Sequence, residues 1–356
     1  MIPHCPVLAM SGISAASVAV TDAYTGRVLL SDNSNAQRPI ASTTKLMTCL
    51  IACETGDMRE VVTVTDEMLY GTEGSLIYIK AGDRITMLDL VKGAMLASGN
   101  DAANAIAVHI GGSVTAFADM MNRRAAQIGM KNTHFETPSG LDKGNHRSTA
   151  YDMALLAGEV VKNEKLLQIA SMTAAQITVG GKVQTVYNHN KLLSYDKNFI
   201  GLKTGYTKKA GRCLVSAYKY GDSIIITVTL SAPNDWDDHK RLVNVAKKCY
   251  KHIGKTETVT ISAVGADKNT VNAQYEYNIA TVDDIYVKEY YYPFVYAPVT
   301  KGQVLGRADI YVSNKLLKST EIKASEGIKY GEQRSTTSEI HGRTGRGVTQ
   351  KERRTD

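Results

Sequence analysis

Ser42-Thr43-Thr44-Lys45 runs directly into an apolar stretch, Leu46-Met47-Thr48-Cys49-Leu50-Ile51-Ala52. On a helix, the serine hydroxyl and the lysine amine lie one turn apart on the same face. A serine hydroxyl is a weak nucleophile until a base removes its proton, and a neutral lysine amine can serve as that base. Two further strings follow in chain order, Ser98-Gly99-Asn100 and Lys203-Thr204-Gly205. Each recurs by accident in unrelated chains. All three in this order point to acyl transfer through an active-site serine.

The surrounding pattern gives each string a fitting place. Ser17–Thr21 and Arg27–Leu30 flank a turn and read as a hairpin. Ser42 then opens a helix ending near Glu54-Thr55-Gly56, where the helix N-terminus favours developing negative charge. Apolar spacing predicts helices over Met87–Leu96, from Ala102 to Ile110, and over Val114–Ile128, so Ser98-Gly99-Asn100 is a tight loop between two helices. Thr149 caps a helix running to Val161, with Asp152 three residues on. Strands follow at Phe199–Thr207, Arg212–Ala217 and Ser223–Leu230, then a helix at His239–His252. From Glu257 the chain alternates in short runs such as Val259-Thr260-Ile261, which suggests a small separate β domain.

Composition excludes several classes. The 356 residues are 43% hydrophobic and 22% charged, ordinary for a soluble globular chain with room for a large domain and a smaller one. The net charge of +7 suits an anionic surface such as a cell wall or membrane, and equally a plain basic protein. There is no arginine-rich helix or aromatic-basic interleaving, so no nucleic-acid partner is expected. No HExxH string occurs, which argues against a zinc peptidase. Five cysteines without a CxxC pair read as buried thiols rather than a disulfide framework. No segment is apolar enough to span a bilayer, and residues 1–14 read as a leader or the remnant of an export signal. The polar tail at 326–356 should be disordered.

The expected roles follow from residue chemistry. Ser42 is the nucleophile and Lys45 its base, neutral only if burial and a second cation, Lys203, lower its pKa. Ser98 can pass a proton between Lys45 and a leaving amine. Asn100 can orient the base and hold a substrate carbonyl, although Ser, Gly and Asn also favour helix-capping loops. Lys203 and Thr204 suit a substrate carboxylate, and Gly205 lets a substrate backbone approach. Backbone N–H groups of Ser42 and Tyr206 would form an oxyanion hole. His134, His146, His189 and His239 leave a Ser-His-Asp triad open, but no serine sits in a Gly-x-Ser-x-Gly elbow.

These motifs resemble the low-molecular-mass penicillin-binding proteins, the serine-type D-alanyl-D-alanine carboxypeptidases of peptidase family S11. Further strings carry the likeness: Glu73-Gly74-Ser75, Lys131-Asn132-Thr133-His134-Phe135, Gly140-Leu141 and His146–Ala154. The resemblance implies an α/β (α+β) domain like the serine β-lactamases over residues 15–255, an antiparallel sheet flanked by helices. A small all-β domain would follow at 256–325. It implies removal of the terminal D-alanine from peptidoglycan stem peptides, with β-lactams as covalent inhibitors and no metal or organic cofactor. An extracytoplasmic location is likewise implied, while peripheral membrane association stays open because the tail lacks an amphipathic apolar stripe. The alternatives are a β-lactamase, which would need a glutamate such as Glu136 or Glu159 poised on water, an endopeptidase or transpeptidase, and a silent scaffolding protein.

Overall fold

The expected hairpin forms as β1 (Ser17–Asp22) and β2 (Val28–Asp32), paired antiparallel. Its turn is held by the Asp22 carboxylate, which accepts hydrogen bonds from the backbone N–H groups of Tyr24 and Thr25, the usual reason for aspartate in such turns. The structure is a computed structural model that describes residues 11–331 and 349–354. The chain divides into two compact units, Met1–Cys249 and Tyr250–Asp356.

In the first unit a 3-10 turn over Ala41–Thr44 leads into α1 (Lys45–Thr55). Next come β3 (Val61–Thr63), α2 (Asp66–Leu69) and β4 (Arg84–Thr86), with β3 and β4 paired as a small ribbon. Then α3 (Met87–Met95), α4 (Asn100–Gly111) and α5 (Val114–Ile128) follow, all as the apolar spacing predicts. α6 (Ala150–Lys162) starts where Thr149 Oγ1 accepts from the Asp152 N–H at 3.0 Å, the anticipated cap. The sequence reading did not anticipate α2, α7 (Glu164–Ala170), the hairpin of β5 (Ala174–Val179) with β6 (Lys182–Tyr187), or α8 (Leu192–Tyr195). Gly180-Gly181 carried the hairpin signal, since both residues sit at positive φ, as a two-residue turn of this kind requires.

β7 (Phe199–Thr207), β8 (Gly211–Tyr220) and β9 (Ser223–Leu230) complete an antiparallel sheet of order β2-β1-β9-β8-β7. α9 (Asp235–Ala246) packs on it beside β8 and β9. This helix lies earlier than the expected His239–His252. Asp235, Asp237 and Asp238 occupy its first turn, where acidic side chains complement the dipole, and His252 belongs to the next strand. α1 is buried along Lys45–Ala52 and touches α3, α4 and α6, so it is a core helix rather than an amphipathic surface one. The Ser42 turn at its head faces edge strand β7.

The second unit is a seven-stranded sheet built from β10 (Lys251–Val264), β11 (Thr270–Thr281), β12 (Ile285–Tyr291), β13 (Phe294–Tyr296), β14 (Val304–Val312), β15 (Lys315–Ala324) and β16 (Thr349–Arg354), in the order β13-β10-β11-β15-β14-β12-β16. Val271, Ala273, Tyr275, Tyr277 and Ile279 of β11 alternate inward to its core. The polar tail corrects an expectation. Ile328 is buried and bridges to Val299, and Thr349–Arg354 pairs with β12 rather than being disordered. Ladder hydrogen bonds come from the backbone, so a polar composition does not prevent a strand. Residues 1–10, 332–348 and 355–356 of the expected leader and tail lie outside the described residues, while Ser14 is anchored to the Asp238 carboxylate. Cys49, Cys53 and Cys213 are free thiols, whereas Cys249 is disulfide-bonded. Among the described residues no helix is long and apolar enough to cross a membrane.

Thr149→Ala should lower stability by about 1 kcal/mol through loss of the α6 cap, with Thr149→Ser near wild type, as read from the urea midpoint.

Candidate active site

The turn before α1 is locked by the two residues between the serine and the lysine. Thr43 Oγ1 donates to the Ile40 carbonyl at 2.6 Å, and Thr44 Oγ1 donates to the Ala41 carbonyl at 2.8 Å. His146 supports Thr44 from behind. Its Nδ1 accepts from the Glu136 N–H at 3.0 Å, so Nε2 carries the proton and donates to Thr44 Oγ1 at 2.8 Å. Burial holds this imidazole neutral, with a pKa lowered to about 4. Gly140 closes the other side, at φ +84°, where an added Cβ would lie 1.9 Å from the Ala41 carbonyl oxygen. No other residue type fits that contact without moving the turn.

Lys45 Nζ is fully buried and has three partners: Ser42 Oγ at 2.9 Å, Asn100 Oδ1 at 2.6 Å and the Ser139 carbonyl at 2.8 Å. Desolvation first, and the nearby Lys203 charge second, push its pKa well below that of a free lysine. A neutral amine has two hydrogens and one lone pair. The two carbonyl oxygens can only accept, so they take both hydrogens, and the lone pair is left facing the Ser42 hydroxyl proton. The geometry therefore leaves a neutral Lys45 placed to take a proton from Ser42.

Asn100 stands behind this amine. Its Nδ2 donates to the Glu73 carbonyl and its backbone N–H to the Ser75 carbonyl. It orients Lys45 and pins the Glu73–Ser75 loop. Asp101, next in sequence, accepts from the Ile77 and Ile79 N–H groups and holds the following stretch of the same loop. Ser98 lies at φ +61° between α3 and α4, and its side chain faces the cleft. A serine held in the left-handed region is strained, a cost the packed α3–α4 junction sustains.

Strand β7 forms the opposite wall. Gly205 runs so close to the turn that a Cβ there would sit 2.9 Å from the Ser42 backbone nitrogen. Lys203 is buried, its Nζ donates to the Thr204 carbonyl at 3.1 Å, and desolvation lowers its pKa to about 8. Between the walls lies a cleft of about 370 Å³ lined by Ser42, Ser75, Ser98, Thr204, Gly205 and Tyr206, with His189, Lys191, Arg212, Asp235 and Trp236 at its rim. The rim residues were not anticipated as site residues, because they come from a loop, from β8 and from α9.

The rival arrangements do not assemble. His239 is buried between Ser216 and Thr229, and His146 serves the Thr44 turn. His189 reaches the cleft, yet the hydrogen-bond partner of Ser42 Oγ is Lys45. Glu159 is bound to Lys162 and Arg124, and Glu136 accepts from the Asn145 N–H, so neither faces the cleft. No group of metal-ligating side chains occurs among the described residues.

Fold and site together define a serine hydrolase of the β-lactamase and transpeptidase architecture, with lysine as the candidate base. A family model described as D-alanyl-D-alanine carboxypeptidase matches residues 6–234, and the chain belongs to that family, Peptidase_S11. It is 30% identical over 348 residues to D-alanyl-D-alanine carboxypeptidase DacF of Bacillus subtilis, covering 88% of this chain and 86% of that one. Among solved structures it resembles penicillin-binding protein 5 of Haemophilus influenzae, with a TM-score of 0.62 at 25% identity, over 89% of this chain and 98% of the other. A variant of the Streptomyces K15 DD-transpeptidase aligns with a TM-score of 0.63 at 28% identity, over 66% of this chain and 98% of that one.

The two lysines set opposite pH limbs. A base at Lys45 would work only when unprotonated, so activity should be gained as pH rises through its depressed pKa. A Lys203 that serves a substrate carboxylate would do so only when protonated, so kcat/KM should fall as pH passes about 8, which a pH profile of D-alanine release tests.

Proposed function

We propose that the chain removes the terminal D-alanine from peptidoglycan stem peptides through an acyl-enzyme on Ser42. The observation that carries this reading is the contact of 2.9 Å between Ser42 Oγ and a fully buried amine whose other partners are both acceptors. Lys45 takes the Ser42 proton as Oγ bonds to the carbonyl carbon of the penultimate D-alanine. The negative charge that develops is met by the backbone N–H groups of Ser42 and Tyr206. The bond to the terminal D-alanine nitrogen then breaks, and the Lys45 proton reaches that nitrogen by way of the Ser98 hydroxyl. A water adds to the acyl group, gives a proton to Lys45, and the ester bond breaks with return of that proton to Ser42 Oγ.

Lys203 and Thr204 hold the free carboxylate of the departing residue, while Gly205 lets the substrate backbone lie along β7. Penicillins present a similar carbonyl and carboxylate, and would acylate the same oxygen. Neither Glu136 nor Glu159 faces the cleft, which favours slow release of a penicilloyl group over β-lactamase turnover. Peptidoglycan lies outside the cytoplasm, and a disulfide-bonded Cys249 is compatible with an oxidising compartment. The likeness to a DD-transpeptidase supports a second reading of the deacylation step, in which an amine acceptor replaces water.

Ser42→Ala should abolish both D-alanine release and covalent labelling by penicillin. Wild type should carry one penicilloyl adduct on the peptide containing Ser42 for minutes or longer by mass spectrometry. An adduct on another peptide, or rapid catalytic hydrolysis of penicillin, would refute the assignment.

A further inference from the structure

One imidazole touches two separate pieces of the site. His146 is buried, and its ring packs edge-on against Phe135 with centroids 5.8 Å apart. On one side Nε2 lies 2.8 Å from Thr44 Oγ1. That hydroxyl already donates to the Ala41 carbonyl, so it can only accept from the ring. On the other side Nδ1 accepts from the backbone N–H groups of Glu136 and Thr137, at 3.0 and 3.4 Å. Two residues beyond Thr137, the Ser139 carbonyl takes a hydrogen of Lys45. Gly140 follows, its N–H donating to Thr137 Oγ1 at 3.1 Å and its Cα abutting the Ala41 carbonyl. The ring thus bridges the turn that presents Ser42 and the loop, residues 136–140, that orients Lys45.

Both ties need the neutral ring with its proton on Nε2, since an imidazolium would aim an Nδ1 proton at two other donors. The ionisable groups around the ring are Glu136, Asp142 and His134, and burial outweighs the attraction of the two carboxylates. We infer that His146 is a positioning residue for acyl transfer, acting through Thr44 and through the 136–140 loop to fix Ser42 Oγ relative to the Lys45 amine. This rests on the reading of Ser42 and Lys45 as nucleophile and base, and deepens it. Proton transfer across their 2.9 Å contact depends steeply on distance and angle, so a small shift of either piece slows the chemical step. The ring's ties are to protein groups, so substrate affinity should change little. Thr48 Oγ1 holds the Pro138 carbonyl at 2.7 Å, an independent anchor that keeps the loop attached to α1 when the ring is removed.

The test compares wild type with His146→Ala, His146→Gln and His146→Asn in the full chain, on a peptide ending in D-alanyl-D-alanine and on penicillin. Glutamine can put an amide N–H near the place of Nε2 and keep the tie to Thr44. Asparagine can put an oxygen near the place of Nδ1 and keep the tie to the loop. His146→Ala should lower kcat and the rate of penicillin acylation by roughly tenfold to a hundredfold, with KM within about threefold. Glutamine and asparagine should each recover part of that loss. Nitrogen-15 NMR of labelled histidine should show, as the signal missing from His146→Gln, a neutral ring with Nδ1 unprotonated at neutral pH. An unchanged kcat in His146→Ala, a loss confined to KM, or a protonated Nδ1 overturns the inference. So does a loss of activity that only tracks the unfolded fraction given by the urea midpoint. A wild type that releases no D-alanine and forms no penicilloyl adduct on Ser42 overturns the acyl-transfer reading itself, and the role of His146 with it.

Discussion

A lysine amine buried away from water is the constraint around which the first unit is built. Desolvation makes the charged form of Lys45 costly, and the Lys203 ammonium adds to that cost. The neutral form is accepted only because Asn100 Oδ1 and the Ser139 carbonyl take both of its hydrogens. Those two acceptors come from the start of α4 and from a loop some forty residues further on, so the amine ties three distant pieces of chain together. The same wiring leaves one lone pair, and it faces Ser42. Structural satisfaction and chemical activation are here one arrangement.

The rest of the site is support for that arrangement. The turn carrying Ser42 must be stiff, and the Thr43 and Thr44 hydroxyls fold back on it while His146 braces Thr44 from outside. Gly140 and Gly205 permit backbone to approach backbone on both sides, where any side chain would push the turn away. The edge position of β7 matters equally. A central strand would have its second row of backbone groups occupied by a neighbour, whereas β7 ends the sheet and leaves one edge for an extended peptide. A substrate lying there would place its scissile carbonyl between that edge and the Ser42 turn.

Legibility in the sequence followed the range of the interactions. Hairpin β1–β2, helices α1 and α3 to α6, and strands β7 to β9 were readable because turn chemistry, caps and apolar period are local properties. The β5–β6 hairpin had its Gly-Gly signal but is short and largely exposed, and α9 was misplaced because its acidic first turn was passed over in favour of later residues. The structured polar tail was misread since composition reports on side chains, while strand pairing is a backbone property.

Residue type and spacing by themselves determined the candidate nucleophile, the candidate base and the strand that faces them, because Ser42 and Lys45 are bound by a single helical turn and Lys203, Thr204 and Gly205 by a single strand. Only the tertiary structure decided the state of the base and the shape of the cleft. The Ser139 carbonyl has no signature in the sequence, since every residue carries one, and Arg212, Asp235 and Trp236 converge only when β8 and α9 are packed beside β7. Burial, which sets the protonation of Lys45 and Lys203, is a property of the packed assembly and not of any one segment.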